Sequence, residues 1–222
     1  FMPHLRILSI NLLVDRAAPD DLRMVITDAD PDVVCTQEMG LETEAVIAEV
    51  LPYGRLDPRE DLFGMGIAAK YPVTVDSLGL EARSGWVAGL DPDDWPGLAQ
   101  PLDVFNVHLT NPVDLPWRAS RAQRRRQIAQ ISNVVDQRDR AGVVIGDMNA
   151  SPSWPEYKLL SGIGTDAARA TGTERRTWAH FLFGPRLLRI DHAFVIGVRP
   201  ITTSIARVRG TDHRALIVDI EV

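Results

Sequence analysis

Cysteine is nearly absent from this 222-residue chain. Cys35 stands alone, so the chain forms no internal disulfide and contains no CxxC or multi-cysteine zinc site. The five histidines show no HExxH or comparable pairing, which argues against zinc. Lysine is also scarce: Lys70 and Lys158 are the only two, and arginine carries nearly all of the positive charge. No apolar run approaches the roughly 20 residues that span a bilayer. Phe1-Met2-Pro3 lacks the basic-then-apolar start of a signal peptide. A net charge of −6 argues against a broad basic footprint for duplex nucleic acid, because phosphate contacts need clustered Lys and Arg. It leaves room for a metal-dependent enzyme, whose surplus carboxylates the ion partly neutralises.

What is present is globular. Hydrophobic residues make up 45% and charged residues 24%, which excludes disorder and fibrous repeats. A chain of this length hides about 70% of its unfolded surface on folding and needs no covalent staples. With no linker-like stretch, low-complexity tract or internal repeat, the reading is one domain over residues 1–222.

Short apolar runs alternate with helix-like stretches. Strands are expected at Leu5–Leu12, Asp32–Thr36, Gly66–Lys70, Val73–Leu78, Asp103–Leu109, Val143–Asp147, Ile190–Val195, Thr202–Val208 and Ala215–Ile220. Helices are expected at Leu22–Ala29, started by Pro19-Asp20-Asp21 and closed by Pro31, then at Glu42–Leu51 and Trp117–Arg138. The segment Gly89–Pro101 reads as a loop. Many strands, some in direct succession, predict an α/β layered fold with sheet packed on sheet and helices outside.

Polar residues recur at the ends of these strands: Asn11, Glu38, His108, Asp147 with Asn149, Asp191, and Asp212 with His213. Any one of them is ordinarily a turn residue or a cap; their recurrence is the signal. Asp147 and Asn149 flank Met148 in Gly146-Asp147-Met148-Asn149, so in extended backbone both leave one face, an acceptor beside an amide donor. That pair suits a nucleophilic water next to a phosphoryl oxygen. Asp212 and His213 are adjacent and can share a site only where the chain turns, which Gly210 permits. Glu38 and Asp212 are hard oxygen ligands suited to Mg²⁺ or Mn²⁺.

These segments, with Ile7-Leu8-Ser9-Ile10-Asn11, Thr36-Gln37-Glu38, Asn106-Val107-His108-Leu109, Arg189-Ile190-Asp191-His192 and Thr211-Asp212-His213-Arg214, resemble the endonuclease/exonuclease/phosphatase superfamily. These are metal-dependent phosphoesterases related to deoxyribonuclease I and exonuclease III-type enzymes. The resemblance spans essentially the whole chain in the family's order. It implies a four-layer α/β sandwich, two packed mixed sheets flanked by helices, with the site at one end. It also implies Glu38 as principal ligand of a Mg²⁺ or Mn²⁺ ion, with Asn11 and Asp212 completing or supporting the metal environment. Asp147 would activate the attacking water, and Asn149 would hold it and a phosphoryl oxygen. His213, oriented by Asp191, would act on the scissile phosphate, and His108 would contact a phosphate oxygen or protonate the leaving group. Leu13 stands where some relatives carry an acid, Ala69-Lys70 stands where Ser-Arg is common, and no carboxylate is evident to orient His108.

Arg118, Arg121 and Arg125 share one face of the long helix, open either to solvent or to substrate phosphate. Trp86, Trp95 and Trp178 read as packing or loop anchors, and Cys35 as a buried, inert strand residue. The expected activity is hydrolysis of a phosphodiester, nuclease-like or otherwise. A phospholipid or inositol-phosphate hydrolase of the same fold is the alternative, and a binding module with a decayed site the reading from another class. Substrates to expect are nucleic acid, phospholipid or a small phosphodiester. The chain is expected to be a monomer with no obligate protein partner. It is read as a soluble domain, cytoplasmic or the extracytoplasmic part of a membrane-anchored bacterial protein.

Overall fold

A strand that is apolar at odd and even positions alike must be covered on both faces. Strand β1 (His4–Asn11) is of this kind: Leu5 and Ile7 pack on one side, Leu8 and Ile10 on the other. In the computed structural model, which describes residues 4–182 and 184–222, this demand is met by four layers. Phe1-Met2-Pro3, on which the signal-peptide reading falls, and Phe183 lie outside the described residues.

After β1 come α1 (Pro19–Ala29), β2 (Val33–Gln37), α2 (Leu41–Val50), β3 (Tyr53–Asp57), β4 (Met65–Ala69), β5 (Thr74–Ser77), β6 (Gly85–Leu90) and β7 (Leu102–His108). The second half holds α3 (Trp117–Arg138), β8 (Ala141–Asp147), α4 (Pro155–Leu160), β9 (Thr165–Asp166), α5 (Ala167–Ala170), β10 (Asp191–Ile196), β11 (Arg199–Arg207) and β12 (Arg214–Glu221). Two six-stranded sheets form, ordered β11-β12-β1-β2-β4-β3 and β5-β6-β7-β8-β10-β9. Each has one parallel pair, β1–β2 crossed by α1 and β7–β8 crossed by α3, and is otherwise antiparallel.

Between the sheets Ile7, Val33, Cys35 and Ile67 meet Trp86, Val104, Ile145 and Val195. Outside the first sheet, Leu22, Ile26 and Ile47 of α1 and α2 cover Leu8, Ile10 and Val34. Ile128, Ile131 and Val135 of α3 cover Phe105, Val144 and Phe194 of the second sheet. Full burial of each such side chain contributes about 1.5–3 kcal/mol. Cys35 is fully buried, and burial raises its thiol pKa, as an inert strand residue requires. Among the described residues no helix is long and apolar enough to cross a membrane.

Three strands are absent from the sequence reading, of which β9 (Thr165–Asp166) is only two residues long and carries no pattern. Tyr53-Gly54-Arg55-Leu56-Asp57 is an exposed, polar edge strand without alternation, so nothing in its pattern announces pairing. The strand Gly85–Leu90 is buried throughout, and its two glycines disguise it; its end overlaps the expected loop, of which only the part after Leu90 holds. In that loop Trp95 is buried, and its indole donates to Pro72 O at 2.8 Å, an anchor as expected.

The arginine face of α3 has a partner that the sequence did not suggest. Arg121 and Arg125 donate to Glu156 of α4, which is fully buried, at 3.0 and 3.3 Å. Arg124 is fully buried on the same helix and feels the Glu156 charge, while donating to Thr110 O and Ser120 Oγ. Glu156 is thus the counter-ion that holds α3 to α4. Arg121 and Arg125 can turn to water without it, but Arg124 cannot. Replacement Glu156→Ala is expected to cost about 1–3 kcal/mol in urea unfolding, the scale for a buried charge left unpaired. A loss below about 0.5 kcal/mol, the usual size at an uninvolved position, would contradict this role.

Candidate active site

The rows of side chains in the inter-sheet gap turn polar at one end. In β1 the gap-facing row runs Leu5, Ile7, Ser9, Asn11; in β2, Val33, Cys35, Gln37; in β7, Val104, Asn106, His108; in β8, Val143, Ile145, Asp147. A period of two fixes this parity, so each row delivers its terminal polar group into the gap. Strand β10 runs antiparallel to β8, and its row begins where the others end, with Asp191 opposite Asp147. Parallel register sets His108 beside Asp147 and Asn11 beside Gln37.

Beneath this rim a polar layer joins the sheets. The Gln37 amide donates to Asn106 Oδ1 at 2.7 Å and to Ser9 Oγ at 3.2 Å. The Asn106 amide donates to the carbonyls of Thr36 and Gly66 at 3.0 and 2.8 Å.

Alternation alone would send Glu38, next to Gln37, out of the gap. A left-handed backbone at φ 53° reverses it, an uncommon conformation for a long side chain and one found at functional sites. The Asn11 amide then donates to Glu38 Oε1 at 3.0 Å and Asp147 Oδ2 at 3.1 Å, while its own oxygen accepts from Leu13 N. Asp147 Oδ1 accepts from Asn149 N at 2.9 Å, and the Asn149 side chain donates to Leu109 O. His108 Nε2 lies 3.7 Å from Glu38 and 3.8 Å from Asp147, so the carboxylates not evident from sequence stand beside it.

At the start of β12, Gly210 turns the chain at φ 86°, with Arg16 O only 1.9 Å from where a Cβ would lie. That turn lets the neighbours Asp212 and His213 face the same site. His213 Nδ1 meets Asp191 at 3.0 Å, and Nε2 lies 3.7 Å from Asp147 and 3.8 Å from Asp212. The Trp178 indole donates to Asp212 Oδ2 at 2.8 Å, so this tryptophan anchors a site carboxylate. All eight expected residues, Asn11, Glu38, His108, Asp147, Asn149, Asp191, Asp212 and His213, therefore converge on one end of the gap.

The Endonuclease/Exonuclease/phosphatase family model matches residues 8–213. The chain belongs to this family. No curated protein sequence matches it. Among solved structures, a Beutenbergia cavernae endonuclease/exonuclease/phosphatase superposes with a TM-score of 0.75 at 20% identity, covering 99% of this chain and 72% of the other. Humanized D. rerio TDP2 gives 0.74 at 16% identity, covering 99% of both chains. The 3′ phosphatase NExo from Neisseria, bound to a product DNA hairpin, gives 0.73 at 18% identity, covering 96% and 98%. At these identities the likeness is one of fold, the α/β sandwich of this family of phosphoesterases.

Within the family fold, the two site histidines differ in charge: His213 is cationic and His108 neutral. Burial alone would lower the His213 pKa, but Asp191 and Asp147 outweigh it and raise it to about 10. His108 is pushed well below the usual imidazole range by burial and by the positive charges of Arg83 and His213. It is neutral at pH 7, which does not suit an imidazolium acid. Burial raises the carboxyl pKa of Asp147, with Asp191 adding to the rise and His213 opposing it. Glu38 is raised by burial and by the Asp212 charge against the Asn11 hydrogen bond.

Sequence reasoning missed Arg83. It is buried and paired with Asp114, its charge reaches Glu38 and His108, and its Nη1 has no hydrogen-bond partner among the described residues. Glu81-Ala82-Arg83-Ser84 carries no motif; only register, with Gly85 opposite Val107, brings it to the site. Arg121 and Arg125 are not drawn into the cluster.

Asp147, Asp191 and His213 bring ligand atoms within 4.8 Å of one another and can hold an ion. Two further buried oxygens, Glu38 Oε2 and Asp212 Oδ1, have no hydrogen-bond partner among the described residues. Unshared anionic oxygens of this kind fit a hard cation.

The Asp191–His213 pair has a pH signature. Folded His213 keeps its proton to about 10, whereas an unfolded imidazole releases it near ~6.5. The folded state binds the extra proton between those values, so the pair's stabilisation is full below ~6.5 and fades as pH climbs toward 10. In Asp191→Asn, burial should dominate and the midpoint should fall; imidazole NMR titration of parent and variant checks this. An unchanged midpoint would assign the charge of His213 to another cause.

Proposed function

We propose that the chain hydrolyses a phosphodiester with a divalent cation, Mg²⁺ or Mn²⁺, held by Glu38 and Asp212. The observation that carries this reading is the pair of buried carboxylate oxygens without donors, Glu38 Oε2 and Asp212 Oδ1. They favour the Glu38 side over the Asp147, Asp191 and His213 group, because a protonated His213 already bonded to Asp191 has no lone pair to give. Asn11 supports rather than ligates, since both ends of its amide are engaged within the protein. When bound, the cation would neutralise phosphoryl charge and lower the pKa of water.

The chain's own groups divide the remaining work. Asp147, with its raised carboxyl pKa, takes the proton of the attacking water, and the Asn149 N–H at its Oδ1 fixes the direction of the carboxylate. The His213 imidazolium, aimed by Asp191, stabilises the charge that gathers on the phosphoryl oxygens. Neutral His108 and the free Nη1 of Arg83 offer hydrogen bonds to the phosphate. TDP2 and the DNA-bound 3′ phosphatase share the fold and are compatible with this reaction class without naming a substrate here.

Two measurements test the reading. By calorimetric titration, Glu38→Gln should lose Mg²⁺ and Mn²⁺ affinity with circular dichroism unchanged, because it removes ligand charge and not volume. Turnover of bis-p-nitrophenyl phosphate should require the cation and fall about 10²–10⁴-fold in kcat in His213→Ala, the scale for a positioned proton or charge group. Parent affinity in Glu38→Gln would remove the metal assignment, and metal-independent turnover would remove the mechanism.

A further inference from the structure

Several apolar side chains stand in water at the end of the molecule that holds the site. Among the described residues, Val113 is 83% exposed, Phe181 69% and Trp117 53%, with Leu115, Leu182 and Leu187 also exposed. They lie on two segments, 111–118 and 171–190, the latter taken without Phe183, which lies outside the described residues. The first follows β7 directly after His108, and the second leads into β10 at Asp191. The strand order β7-β8-β10 therefore places them on either side of Asp147. Phe63 extends the rim toward the other sheet, where it lies beneath the Arg83 guanidinium that pairs with Asp114.

Charge follows the same distribution. In a chain of net charge −6, these two segments hold five arginines, Arg118, Arg175, Arg176, Arg186 and Arg189, against two carboxylates, Asp114 and Glu174; Arg189 is buried against Asp166, which leaves four that are not buried. Asp114 is taken by Arg83, while Arg118, Arg175 and Arg176 meet no carboxylate at ion-pair distance among the described residues. The apolar rim is thus a basic patch on an acidic molecule.

We propose that segments 111–118 and 171–190 dock on an anionic phospholipid surface and bring a lipid headgroup phosphodiester to the site. The proposal deepens the reading of the site as a phosphodiesterase and rests on it for the reaction, though not for the docking. Apolar tips interleaved with arginine are the pattern of a surface that lies in the membrane interface, the apolar groups entering the acyl boundary and the cations meeting headgroups. A lipid phosphodiester sits at that same boundary, level with the mouth of a site whose carboxylates Glu38, Asp147 and Asp191 are buried behind the rim. Single-stranded nucleic acid fits less well: it is held by aromatic platforms, and Val113, Leu115, Leu182 and Leu187 have no π-face for a base.

The test separates docking from chemistry. Extruded vesicles of phosphatidylcholine with phosphatidylglycerol are sedimented with the intact chain in EDTA, beside vesicles of phosphatidylcholine alone. The parent should co-sediment with the anionic vesicles, and Leu115→Ser with Phe181→Ser should weaken this about tenfold or more. With Mg²⁺ restored, the double variant should keep parent turnover of bis-p-nitrophenyl phosphate and lose hydrolysis of vesicular phosphatidylglycerol. Absence of association, or association untouched by the double variant, overturns the proposal. So does binding of a single-stranded oligonucleotide that the same substitutions abolish while vesicles are ignored. A parent that fails on the soluble diester but still binds anionic vesicles refutes the phosphodiesterase reading and supports the docking surface.

Discussion

One hydrogen bond sets the geometry on which the site depends: the 2.7 Å contact from the Gln37 amide to Asn106 Oδ1, across the gap between the sheets. Below it the gap is filled by aliphatic side chains, which tolerate sliding because packing alone has little direction. An amide pair buried with its remaining hydrogens spent on Ser9, Thr36 and Gly66 has one low-energy arrangement. Glu38 and His108, each one or two residues beyond that lock on opposite sheets, inherit their separation from it. A polar layer there specifies alignment more than it adds stability.

Upon that alignment the charges sort themselves. Four carboxylates and an imidazolium share a volume from which water is largely excluded, and their charges set one another's protonation. Asp191 is spent on His213, which leaves Asp147 opposite a positive charge and Glu38 beside Asp212, like against like. The division of one acidic cluster into a balanced half and an unbalanced half is what separates proton handling from cation binding.

Much of this was legible beforehand because it depends on parity. Rows such as Val143, Ile145, Asp147 announce both the buried strand and the polar group at its end, and the motif order supplied the family. Glu38 was named for its place after a strand, its ligand chemistry and its motif, but its left-handed turn cannot be read from Thr36-Gln37-Glu38-Met39. Strand β3 stayed hidden because an exposed edge carries no apolar pattern, and β6 because glycine masks burial. Arg83 and Glu156 owe their roles to contacts far along the chain, Arg83 with Asp114 and Glu156 with Arg121 and Arg125, and no local spacing encodes those.

The position of β12 between β11 and β1 has a consequence for how the protein is made. Strand β1 leaves the ribosome well before β12, yet the two are neighbours, with His4 paired to Glu221. Thr211 donates to the carbonyl of Asn11 across 200 positions, so two segments far apart in sequence close the site together. Until β12 has been made, β1 presents a bare edge on that side and Asn11 lacks part of its surroundings. Such far-separated pairing is slow to form and open to wrong partners meanwhile. Competence therefore arrives in a single late step, and a nascent chain stalled before Thr211 would carry most of the sandwich and none of the chemistry.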